Sequence, residues 1–164
     1  MYSSRVMLNT TKHATRVAVL LALALTSQAV FAQTKATAAK TPLTVYKTPT
    51  CGCCGKWVEH MDANGFAATT TNLPDLAAIK AKHGVPAALH SCHTSLVGGY
   101  VIEGHVPAAD IRRLLKERPK IVGLAAPGMP AGSPGMDVPN SPGYDVIAFG
   151  KDGKTSVFAT HPAR

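Results

Sequence analysis

The alternation of apolar and polar positions changes period several times between residues 43 and 160. Leu43 to Tyr46 is a short apolar, β-branched run that reads as a buried strand. A loop, Lys47-Thr48-Pro49-Thr50, follows. From Cys51 onward Trp57, Val58 and Met61 recur at helical spacing, and Asn64-Gly65 supplies a helix stop. Phe66 to Thr71 reads as a second strand. Asn72 is expected to cap a second helix with Pro74 in its first turn, and Gly84 to end it. His93 to Val97 is a third strand, Gly98-Gly99 a hairpin turn and Tyr100 to Glu103 the returning strand. Pro107 opens a helix that places Ile111, Leu114 and Leu115 on the core, and Pro119 stops it. The order is β-α-β-α-β-β-α, the pattern of an α/β sheet covered by helices. After Leu124 the composition changes. Residues 127–136 form a Pro/Gly/Met loop, and Tyr144 to Phe149 with Thr155 to Ala159 form a C-terminal β-hairpin.

The N-terminal region follows a different rule. Arg5, Lys12 and Arg16 precede an unbroken apolar run, Val17 to Leu25, and Val30-Phe31-Ala32 offers small residues at the positions a signal peptidase reads. This is the layout of a signal peptide over residues 1–32, cleaved near Ala32, and implies an exported protein. The apolar run is too short for a stable membrane span, and no membrane attachment is expected after cleavage. Residues 33–42 read as a flexible lead-in and residues 43–160 as one domain. Beyond the leader, 14 basic and nine acidic residues leave a charge of +5. Those charges are scattered and aromatics are sparse, which excludes a nucleic-acid stripe.

All four cysteines fall after the leader, where export would let disulfides persist. Their spacing is poor for structural staples. Cys51, Cys53 and Cys54 lie within four consecutive positions, and a Cys51–Cys54 bridge closes too small a loop to remove much unfolded-state entropy. A strand, a loop and Cys-x-x-Cys at a helix start is the arrangement of thioredoxin-like redox sites. The free N–H groups of the helix end stabilise anionic sulfur, so Cys51 and Cys54 are the candidate catalytic pair.

Two features depart from a plain dithiol. Cys53 adds a sulfur inside the motif, and Cys92, flanked by His90 and His93, precedes the third strand. Thiolates and imidazoles together suit Cu(I) and Zn(II). Met129 and Met136 would add thioethers, which suit Cu(I) and not Zn(II), or they anchor the loop. His105 reads as a turn residue ahead of Pro107, Trp57 as core, His60 as facing either solvent or site, and His83 and His161 as surface histidines. The candidate metal ligands are thus Cys51, Cys53, Cys54, Cys92, His93, Met129 and Met136.

Val45 to Trp57, Ser91-Cys92-His93-Thr94, Gly99 to Pro107 and Pro127 to Met136 together resemble the CopG-type copper-resistance proteins. The resemblance covers nearly all of residues 43–159. It implies a thioredoxin-like fold, copper held by clustered sulfurs at Cys51, Cys53, Cys54 and Cys92, and a role in periplasmic copper tolerance through cycling between Cu(I) and Cu(II). Copper ions, several per chain, and a periplasmic copper efflux or chaperone protein are the partners it implies. A thiol–disulfide oxidoreductase and a passive copper metallochaperone stand as alternatives.

Overall fold

The computed structural model describes residues 39–163. The expected leader, and the lead-in up to residue 38, lie outside them. The described elements are β1 (Thr41–Lys47), α1 (Gly52–Ala63), β2 (Phe66–Asn72), α2 (Ala77–Lys82), a single 3-10 turn (Ala87–Leu89), β3 (His93–Val97), β4 (Tyr100–Gly104), α3 (Ala108–Glu117), β5 (Gly123–Ala126), β6 (Tyr144–Phe149) and β7 (Thr155–His161). None of these helices is long and apolar enough to cross a membrane.

The strands form one mixed sheet in the order β2-β1-β3-β4-β5-β6-β7. β1 is parallel to β2, as a strand–helix–strand crossover requires, and antiparallel to β3. β3 and β4 form a hairpin across Gly98 and Gly99, whose φ of 56° and 90° are the left-handed values such a turn needs. β5 lies parallel to β4, and β6 and β7 extend the sheet antiparallel.

Side chains alternate between faces along each strand. Leu43, Val45, Val97 and Ile102 pack with Trp57 and Met61 of α1 and Ile111 and Leu114 of α3. On the opposite face Val101, Ala125 and Phe149 pack with Val85 and Leu89. All five residues of β4 are therefore buried. Trp57 is core as expected, and its Nε1–H donates to the Val106 carbonyl at 2.9 Å.

Three features differ from the sequence reading. Asn72 does not cap the second helix. It stays in β2 opposite Lys47, and the helix starts only at Ala77, where Asp75 Oδ1 accepts the backbone N–H at 2.8 Å. β1 begins at Thr41, inside the expected lead-in, because Thr41 pairs with Phe66. β5 was not anticipated. Its Gly123-Leu-Ala-Ala is too short and too small-sided to stand out, and Gly123 is required because a Cβ there would collide with the Val101 carbonyl of β4.

Candidate metal centre

The site lies where α1 begins and β3 enters the sheet. Lys47, the last residue of β1, pairs with His93, the first of β3. That one register brings the Cys51–Cys54 loop against Cys92. Cys51 is the N-cap of α1, with extended backbone, and no acidic residue occupies the helix's first turn. The unpaired N–H groups of that turn therefore favour negative charge at the sulfurs. Cys54 is fully buried, whereas Cys51, Cys53 and Cys92 are partly accessible. Cys51 and Cys54 are joined as a disulfide, and Cys53 and Cys92 are free thiols. Cys51 Sγ lies 3.6 Å from Cys53 Sγ.

The four sulfurs lie within 4.8 Å of one another, and so do one donor atom each from Cys54, Cys92, His93 and His105. Cys54 and Cys92 belong to both groups. The Cys92 Sγ is 3.0 Å from His105 Nε2 and 3.4 Å from His93 Nδ1. The orientation of His105 is fixed from behind. Its Nδ1–H donates to the Pro134 carbonyl at 2.8 Å, which leaves the Nε2 lone pair directed at the Cys92 thiol. A backbone carbonyl holding the far nitrogen of an imidazole is the usual support of a ligating histidine. The His93 ring lies 4.4 Å from the Trp57 ring, tilted 47° to it, and 5.2 Å from the His105 ring. Among the described residues His93 Nε2 is buried without a hydrogen-bond partner.

Burial sets the protonation. It pushes the Cys92 thiol up to about 11, with the adjacent Cys53 sulfur adding to the effect. It also holds His93 well below its ordinary range, assisted by His105, Lys80 and Lys47, and lowers His105 against the opposing pull of the Pro134 carbonyl. Both imidazoles are neutral near pH 7, the form in which they donate a lone pair to a metal. Cys92 must lose its proton to bind one. A set of soft sulfurs with two neutral imidazoles fits Cu(I), Cu(II) or Zn(II) and not a hard, oxygen-seeking cation.

The expected ligands do not all fare alike. Cys51, Cys53, Cys54, Cys92 and His93 converge. His105, read as a turn residue, joins them, and only its return beside Cys92 across the β3–β4 hairpin brings it there. His90 does not join. It is exposed, and its Nε2 contacts the Val85 carbonyl at 3.2 Å. His60 faces α3, accepting the Ala108 backbone N–H at 3.4 Å. His161 is more than a surface residue, being 2.7 Å from Asp110 Oδ2 and stacked on Tyr144. Met129 is exposed with φ 54°, and Met136 is half-buried at the end of the turn closed by its N–H to Ser133. What the 127–136 loop does bring to the site is backbone. Pro134 orients His105, and Gly135 lies so close to α1 that a Cβ on it would be 2.8 Å from both the Cys53 carbonyl oxygen and the Trp57 nitrogen.

The fold recurs in solved structures. Two crystal forms titled copper resistance protein CopG match with a TM-score of 0.71 each. They are 43% and 44% identical in sequence, covering 76% and 75% of this chain and 99% of theirs. The chain belongs to the CopG copper-resistance protein family. A family profile described only as a protein of unknown function, DUF411, matches residues 89–136, the stretch from the β3 entry to the end of the loop. No curated protein matches. The mixed α/β sheet of this CopG-family chain, which carries the cysteine cluster, agrees in fold with both solved relatives.

Proposed function

We propose that this protein binds copper and serves copper resistance as an exported, periplasmic protein. In its reduced state Cys51, Cys53, Cys54 and Cys92 hold Cu(I), with sulfurs bridging more than one ion and His93 and His105 completing the set. The observation that carries this reading is the cluster of four sulfurs, joined through Cys54 and Cys92 to a second group that adds two neutral imidazoles. The titles of the two solved relatives support copper as the metal. Met129 and Met136 are proposed to assist from the loop. A copper efflux or chaperone protein would exchange the metal.

The Cys51–Cys54 disulfide gives the site two donor sets. Opening it takes two electrons and yields two thiolates, which balances the oxidation of two Cu(I) to two Cu(II). The closed form retains Cys53, Cys92 and the imidazoles as donors, and the open form adds the sulfurs of Cys51 and Cys54. On this reading the protein interconverts Cu(I) and Cu(II). Anaerobic titration of the reduced protein with Cu(I), against a competing chelator, tests it. Tight binding is expected in the reduced form, and lower affinity or stoichiometry after disulfide closure and in Cys92→Ser. Wild-type binding in Cys92→Ser would rule out the shared site.

One observation favours a second reading. Cys51 is accessible and Cys54 fully buried, the disposition of attacking and resolving thiols in a thiol–disulfide oxidoreductase. Disulfide reduction by metal-free protein, lost in Cys51→Ser and indifferent to copper, would establish it in place of the first.

A further inference from the structure

On the face of the sheet opposite α1, directly behind the site, a charged cluster is sealed from solvent. Glu103 of β4 is fully buried, and Lys80 of α2 is 6% exposed. Lys80 Nζ contacts Glu103 Oε1 and donates to Thr94 Oγ1 at 3.1 Å. Two further donors reach the carboxylate. The Ser91 backbone N–H lies 2.6 Å from Oε1, and the Thr94 hydroxyl 2.7 Å from Oε2. Ser91 and Thr94 are the residues on either side of Cys92-His93. The carboxylate therefore grips the chain immediately before and immediately after the two ligands.

The neighbouring residue of β4 serves the same closure. Gly104 has φ 72°, and a Cβ there would lie 2.6 Å from the Ser91 Cβ and 2.8 Å from the Ala126 carbonyl. This gap is what allows the 90–92 segment to lie on β4. His105, which contacts the Cys92 sulfur, comes next in the chain. Thr94 and Glu103 are cross-strand partners, so the grip is in register with the sheet. A buried ion pair is a poor source of stability, because withdrawing both charges from water offsets their attraction. Specifying geometry is a documented role for such pairs in other proteins.

We propose that Glu103, held by Lys80, is a positioning residue that fixes Cys92 and His93 for metal ligation by clamping Ser91 and Thr94. The role in ligation rests on the copper-site reading above, and the test separates the two. Glu103→Met/Lys80→Met removes both charges and the acceptor together, which keeps the fold apolar and filled. Glu103→Gln/Lys80→Met removes the charges and keeps an acceptor for the Ser91 N–H. Thr94→Val, which takes away only one hydroxyl, is the milder variant if the first does not fold. In metal-free, disulfide-closed protein, alkylation rates of Cys92 and Cys53 are measured separately by mass spectrometry. Cys92 should react at least about tenfold faster in Glu103→Met/Lys80→Met, and about threefold faster in Thr94→Val, with Cys53 unchanged. The Gln-containing double variant should return Cys92 toward the wild-type rate. Cu(I) affinity of the reduced Met/Met variant should fall about tenfold. Unchanged Cys92 reactivity in Thr94→Val and in any folded Met/Met variant, or parallel acceleration of Cys53, which would mean general loosening, would overturn the clamp. Failure of the wild type to bind Cu(I) would overturn the copper reading and with it the ligation role, whatever the alkylation rates.

Discussion

Replacing Gly135 by Ala puts a methyl group where the loop meets the first turn of α1. The glycine has φ 83°, so any L side chain carries a penalty of about 1–2 kcal/mol for left-handed backbone. The added Cβ also meets the Cys53 carbonyl oxygen and the Trp57 nitrogen at 2.8 Å. Both are helix backbone and cannot swing aside, so the loop must lift. Lifting stretches the adjacent Pro134–His105 hydrogen bond, which is 2.8 Å long and ends on a buried imidazole. An unsatisfied buried donor costs a further ~1–3 kcal/mol. Gly128 provides the matched control. It lies in the same loop with φ 68°, and a Cβ there would meet nothing within 4 Å. Gly128→Ala should therefore lose only the backbone penalty. Thermal unfolding of the two variants, disulfide intact, should place Gly135→Ala roughly 5–10 °C below Gly128→Ala. Gly135→Ala should also weaken Cu(I) binding through His105, while Gly128→Ala should not. Equal midpoints would refute the wedge geometry, and equal copper affinity would refute the claim that the loop orients His105.

Other outcomes follow from single contacts. His93 is buried and neutral, with its folded-state value below the unfolded one, so the unfolded chain takes up the proton first. Stability of the metal-free protein should be complete above about pH 7.5 and fall as pH drops below about 6.5, by up to about 1.4 kcal/mol per pH unit for this residue; urea unfolding from pH 7.5 to 5 measures it, and a flat profile would contradict the neutral burial. Trp57→Phe keeps an aromatic ring but strands the Val106 carbonyl and leaves space in the buried core, costing at least about 1–3 kcal/mol in urea midpoint analysis. Asp110→Asn removes the charged partner of His161, which joins α3 to the edge strand β7. Amide exchange should speed up in residues 155–161 and stay unchanged in β3 and β4.

Much of the fold was legible because its signals are local. The β3–β4 hairpin is announced by Gly98-Gly99 between apolar runs, α1 by Trp57, Val58 and Met61, and the stop of α3 by Pro119. What escaped notice depends on neighbours. β5 is a strand only because β4 and β6 flank it, and Asn72 remains in β2 because Lys47 lies opposite, which overrides its preference for capping. The site divides in the same way. Three sulfurs advertise themselves by spacing, and His93 by adjacency to Cys92. His105 is 13 residues from Cys92, and nothing in its local Gly-His-Val-Pro setting marks it as facing a thiol. Adjacency also misleads. His90 is only two residues from Cys92 in the chain, yet it turns to the Val85 carbonyl. The Lys80–Glu103 pair, 23 residues apart, has no sequence signature at all.

The division of the sulfurs, three at the N-terminus of α1 and one just ahead of β3, would tie metal loading to the order of folding. The three clustered cysteines are brought together by one helical turn, a local and rapid event. Cys92, His93 and His105 arrive only when β3 docks between β1 and β4, a non-local pairing with a loop-closure cost. A newly made chain that meets metal too early therefore offers three thiols and no imidazole, and would hold the ion in an incomplete cage. The finished coordination sphere is in this sense a certificate that the centre of the sheet has closed.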